Sequence, residues 1–110
     1  MVINLLEEII EAFKDNGVMM RYIKFVSNAE GFIEIASFIS AAQNINYDNE
    51  SSEIKIDPTL NIVGSTWWFS RVRIHGKEQW AFYRRPARPT IGFTPVILTT
   101  KRPAGTIKEY

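Results

Sequence analysis

Cysteine is absent from the chain, and histidine occurs once, at His75. That excludes a disulfide framework, a thiol nucleophile and any metal centre built from Cys or paired His ligands. Glycine is sparse, and Gly64, Gly76 and Gly92 are isolated from one another, so no glycine-rich phosphate loop is present. No serine-centred nucleophile motif occurs either. No apolar run approaches the ~18–20 residues of a membrane-spanning helix. The opening residues MVINLLEE are acidic where an export signal is basic, which points to a cytoplasmic location. No catalytic residue, metal ligand or cofactor is expected. The one enzyme-like fragment is Asp48, Glu53 and Lys55, which imitates the Asp…Glu-x-Lys pattern of Mg²⁺-dependent nucleases. Its cramped spacing favours a solvated salt bridge instead.

What the chain does have is charge sorted by position. Residues 1–59 carry four basic and ten acidic side chains, whereas residues 60–110 carry nine basic and two acidic ones. The formal net charge of +1 conceals this. All three tryptophans lie in the basic half, and between Trp67 and Arg88 the cations alternate with aromatic rings. Rings beside arginines can stack bases and hold phosphates together, which makes single-stranded nucleic acid the leading partner class.

The chain of 110 residues, 45% of them apolar, suits one domain with a real core. Residues 1–102 are expected to form a single α+β domain, and residues 103–110 a mobile tail. Val2, Leu5, Leu6, Ile9, Ile10 and Phe13 recur at helical spacing, with Asn4 and Glu7 as a capping pair and Asn16-Gly17 as a stop. Residues 18–26 are rich in β-branched and aromatic side chains and read as a strand. Ser27 and Glu30 have capping-box spacing and predict a second helix running to Gln43, with Phe32, Ile35, Ala36, Ile39 and Ala42 inward. Short strands are expected at residues 53–57 and 60–63, then a hairpin over residues 66–85 and a last strand near residues 93–100. The fold class this implies is α+β, an antiparallel sheet with two helices packed on one face.

The hairpin carries the functional argument. Gly76-Lys77 suits a two-residue turn, which sets His75 opposite Glu78, Arg73 opposite Trp80 and Arg71 opposite Phe82. Alternation then places Trp67, Phe69, Arg71, Arg73, Trp80, Phe82 and Arg84 on one face. Trp68, Val72, Ile74, Ala81 and Tyr83 fall on the other. Three arginines cannot be buried without partners, so the first face is expected outward as a stacking platform. Trp67, Phe69, Trp80 and Phe82 would stack bases, and Arg71, Arg73, Arg84, Arg85 and Arg88 would contact phosphates. A three-residue turn would slip the register by one and reverse the grouping, whereas a four-residue loop would give the same pairing.

Thr66-Trp67-Trp68-Phe69-Ser70-Arg71 and Gln79-Trp80-Ala81-Phe82-Tyr83-Arg84, following helix, strand and helix, resemble the layout of the small archaeal single-stranded-DNA-binding proteins of the ThermoDBP type. The resemblance spans residues 1–86 and implies a hydrophobic cleft on the sheet flanked by basic residues. A carboxy-terminal helix for dimerisation is not evident. The alternative is a protein–protein adaptor or inhibitor, virus- or mobile-element-encoded, using the same aromatic and arginine patch or the acidic helical face.

Overall fold

The computed structural model describes residues 1–86. The strand expected near residues 93–100, the tail at residues 103–110 and Arg88 lie outside the described residues. In chain order the elements are β1 (Val2–Asn4), α1 (Leu5–Asp15), β2 (Phe25–Asn28), β3 (Gly31–Ile33), α2 (Ile35–Gln43), β4 (Asn46–Asp48), β5 (Asn61–Val63), β6 (Trp67–Ile74) and β7 (Lys77–Arg84). Strands β1 and β4 form a two-stranded ribbon, and the other five form an antiparallel sheet in the order β3-β2-β5-β6-β7. The class is α+β, with both helices on one face of the sheet.

Helix α1 begins where its sequence says. Asn4 Oδ1 accepts the Glu7 backbone N–H at 3.1 Å, satisfying one of the free donors of the first turn. Its buried residues Leu5, Ile9 and Phe13 repeat every four positions and form one stripe. Each contributes about 1.5–3 kcal/mol by leaving water. Phe13 stacks on Phe69 at 4.6 Å between ring centroids and meets the edge of Trp67 at 5.4 Å, which seats the helix on the sheet. Phe38 and Ala42 of α2 join the same core. The inward row of the sheet runs in register across all five strands as Ile33, Val26, Ile62, Phe69 and Phe82.

Three expectations need correction. Residues 18–26 are not one strand: Met20–Tyr22 makes a single 3-10 turn, and pairing starts only at Phe25. β-propensity needs a neighbouring strand to act on, and these residues have none until the chain returns from α1 to the sheet edge. Ser27 and Glu30 do not open a helix. Ser27 lies within β2 and Glu30 in the two-residue turn of a β2–β3 hairpin in which Asn28 pairs with Gly31. Gly31 has φ 129°, a conformation other residues rarely adopt, and Asn28 Oδ1 accepts the Glu30 N–H at 2.9 Å. Helix α2 therefore starts later, at Ile35, and Phe32 becomes a strand residue facing away from it. Residues 53–57 form no strand either, because the Lys55 and Ile56 N–H groups donate to the Glu78 carboxylate at 2.7 and 3.1 Å. Among the described residues no helix is long and apolar enough to cross a membrane.

Gly64, between β5 and β6, lies directly beneath the Trp67 indole, and a Cβ there would overlap the ring. Its N–H donates to the Trp67 carbonyl at 2.8 Å, so the backbone cannot retreat without losing that bond. Gly64→Ala is expected to cost about 1–3 kcal/mol by overpacking and to shift tryptophan emission as Trp67 is displaced. Urea unfolding followed by fluorescence measures both.

Candidate nucleic-acid interface

The β6–β7 hairpin turns at His75-Gly76, with φ 52° and 76°. Two successive positive φ values define a type I′ turn, whose twist matches that of paired strands. Ile74 therefore faces Lys77, Arg73 faces Glu78, Arg71 faces Trp80 and Phe69 faces Phe82. The pairing differs by two positions from the one Gly76-Lys77 would set. A shift of two preserves the alternation, so the two sets of side chains stay sorted as expected.

Their orientation is the reverse of the expected one. Trp67 is 6% exposed and Phe69 1%, and both belong to the core. Trp80 and Phe82 pack against that core and are half-buried. Arg71 is 8% exposed, and Arg73 is half-buried. Only Arg84 and Arg85 of the described platform residues are exposed. The expected platform of Trp67, Phe69, Arg71, Arg73, Trp80 and Phe82 thus faces α1 rather than solvent.

The arginines can turn inward because partners await them. Arg71 Nη1 lies 3.2 Å from Glu8 Oε1, and Nη2 donates to the Tyr47 hydroxyl at 2.9 Å and sits 3.6 Å from Glu78 Oε1. Its guanidinium also covers the Trp80 ring, 4.6 Å from the centroid. Tyr47 in turn donates to Glu8 Oε1 at 2.6 Å. Arg73 donates to the Ser51 carbonyl and approaches Glu78 Oε2 at 4.0 Å. This network ties α1, β4, the 49–60 loop and the hairpin together. Burial raises the Tyr47 phenol well above its usual pKa of 10, the bond to Glu8 adds to this, and Arg71 opposes it. A raised folded pKa means its contribution to stability is present below pH 10 and is lost as the pH climbs beyond it.

With that set inside, the outer face of the sheet carries the residues that alternate with it. Phe25 pairs with Val63, Val63 with Trp68 and Trp68 with Tyr83, giving one row across four strands. Trp68 and Tyr83 stack at 5.4 Å with 20° between planes. Phe32, 82% exposed on the edge strand β3, meets Phe25 edge-on at 5.3 Å. Phe25 and Tyr83 are 37% and 43% exposed. Beside the aromatic row runs a second one of small and polar residues, Ser27, Asn61, Ser70 and Ala81. Ser70 donates to Asn61 Oδ1 at 2.7 Å, which orients that amide.

Sequence reasoning missed Phe25, Phe32, Trp68 and Tyr83 as surface residues. The recoverable signal was alternation through residues 25–33 around a two-residue turn, hidden by the capping-box spacing of Ser27 and Glu30. The nuclease-like fragment is not assembled. Asp48 pairs with the amino terminus at 2.9 Å, while Glu53 pairs with Lys55 at 3.3 Å. Among the described residues no three His, Cys, Asp or Glu side chains gather as a metal site. A groove of about 760 Å³ on the far side is lined by Glu7, Glu11 and Asp15 among others. Comparison with protein-family models, with curated proteins and with solved structures returns no match.

Proposed function

We propose that this chain binds single-stranded nucleic acid, DNA or RNA, without catalysing a reaction and with little sequence preference, in a cytoplasmic setting. The observation that carries the reading is the outer-face strip of Phe25, half-buried Trp68 and Tyr83 in one row, with exposed Phe32 beside it on the edge strand, across an antiparallel sheet whose other face is closed by helices. Exposed aromatics on such a sheet offer π-faces that any base can use, and RNA-recognition sheets stack two or three bases in this way. Soluble proteins rarely leave so contiguous an apolar strip open without a use for it. The neighbouring row of Ser27, Asn61 and Ser70 supplies hydrogen-bonding groups for base edges. Arg84 and Arg85 stand at the strand end beside Tyr83, where a backbone phosphate can reach them. Helix α1, which carries Glu7, Glu8, Glu11 and Asp15, lies behind the sheet and repels a strand from that side.

The test is fluorescence anisotropy of a labelled oligothymidylate and of a duplex, each at low and moderate salt. The reading expects tighter binding to the single strand, with log K falling by about 0.7 per neutralised phosphate for each unit of log[salt]. Trp68→Ala is expected to weaken the strand by roughly 5- to 150-fold, one stacked base, with the salt slope unchanged. Equal affinity for strand and duplex with no effect of Trp68→Ala defeats the proposal. A protein adaptor or inhibitor is the second reading, favoured by the acidic groove around Glu7, Glu11 and Asp15. It expects no strand binding and a partner that survives high salt when held by apolar contacts.

A further inference from the structure

A second cleft opens at the end of the sheet where the aromatic row lies. It encloses about 340 Å³, in the lower range of small-ligand sites, and is lined by Tyr22, Lys24, Ser65, Thr66, Trp67 and Arg84 with the turn after α1 opposite. No carboxylate lines it. Among the described residues neither Lys24 nor Arg84 has an acidic partner, unlike Arg71 and Arg73. Trp67 and Arg84 pair on the inner face, and Lys24 precedes Phe25. The cleft therefore lies at the same end of the sheet as the row but on the opposite face, and a strand reaches both around that end.

Its walls are held by backbone bonds rather than by loop packing alone. Lys24 N–H donates to Val63 O at 2.7 Å, and Arg85 N–H to Thr66 O at 2.7 Å. These bonds hold the backbone at Lys24, at Thr66 and at Arg85, the residue after Arg84, in fixed relation to the strands. Tyr22 is 55% exposed, with the Arg21 guanidinium 5.1 Å from its ring centroid. Two cations without acidic partners among the described residues, set beside hydroxyl donors, suit a phosphate, and an open ring next to them suits the base attached to it.

Resting on the strand-binding reading, we propose that this cleft is a nucleotide-phosphate site that anchors one phosphate of the bound strand. Lys24 and Arg84 hold its charge, Ser65 and Thr66 donate to its oxygens, and Tyr22 stacks the adjoining base. The phosphate belongs either to the strand's 5′ terminus or to its interior, and the chemistry recognised is the same.

The experiment compares two 3′-labelled oligothymidylates, with and without a 5′-phosphate, against the parent chain, the double variant Lys24→Ala/Arg84→Ala and Trp68→Ala. Both cations are exposed, so the double variant is expected to fold, which circular dichroism checks. The expected result is a loss of roughly tenfold or more at low salt in the double variant, with the salt slope flatter by about 0.7, one phosphate fewer. If the parent prefers the 5′-phosphorylated strand and the double variant does not, the phosphate held is terminal. Loss without such a preference assigns it to the interior. A double variant that binds like the parent while Trp68→Ala has lost affinity overturns the cleft and leaves strand binding standing. A parent that binds neither strand overturns both.

Discussion

Replacing Arg71 with alanine is expected to lower the unfolding free energy by about 3–5 kcal/mol, a large share of the ~5–15 kcal/mol that holds an ordinary domain together. Most of that cost is the burial of carboxylates that lose their nearest cation, Glu78 keeping only Arg73 at 4.0 Å, and the smaller part is the missing packing of the side chain itself. Glu78 is 3% exposed, and the side chain of Glu8 keeps 14% of its surface open, so neither carboxylate can recover full hydration. Arg71 supplies the cation that both face, at 3.6 and 3.2 Å. Glu78 retains its bonds from the Lys55 and Ile56 N–H groups, which keep it where it is and so keep it dry. Tyr47 loses the Arg71 donor and keeps Glu8. Urea unfolding by circular dichroism measures the change as a lower midpoint at unchanged slope. Adding Glu8→Gln and Glu78→Gln to the variant is expected to restore part of the stability, since neutral amides remove the unpaired charge. A cost under about 1 kcal/mol for Arg71→Ala would place the network in water and not in the core.

The second large effect separates two neighbours in sequence. Phe69→Ala is expected to cost about 3–5 kcal/mol, because its ring fills the centre of the core and its removal leaves a cavity there. Phe13, Trp67, Trp80 and Phe82 all contact it, with Phe13 stacked nearly parallel at 9°. Trp68, one residue earlier on the opposite face, makes no such core contact and stacks only on Tyr83. Its removal is expected to spare most of the stability and to weaken strand binding. Unfolding and anisotropy measured on both variants give a crossed result: Phe69→Ala lowers stability with affinity retained in the folded fraction, and Trp68→Ala does the converse. If both variants lose affinity equally at constant stability, the outer face is not the binding surface.

Local rules read parts of this chain correctly. The Asn4 cap, the Leu5, Ile9 and Phe13 stripe and the Asn16-Gly17 stop each rest on interactions within a few residues, which is why they were legible. The sorting of hairpin side chains into two sets was legible too, since strand alternation does not depend on what the strand packs against. The turn type was not. His75 at φ 52° is a conformation that a residue other than glycine seldom takes, and nothing nearby in sequence announces it.

By itself, then, the sequence determined the class of fold, the first helix with its ends, the position of the long hairpin and the separation of acidic from basic halves. It could not determine which face of the hairpin turns inward. Charge argued for arginines outside, and that argument holds only while they lack partners. Tertiary structure supplies those partners from distant segments, Glu8 on α1, Tyr47 on β4 and Ser51 in the loop, and Phe13 adds an aromatic ring for Phe69 to stack on. Once these are in place, burying the row with Trp67 and Phe69 removes more apolar surface from water than burying Trp68 and Tyr83 beside serine and alanine. The candidate surface is what that choice leaves outside, which is why Phe25, Phe32, Trp68 and Tyr83 emerge only from the folded chain.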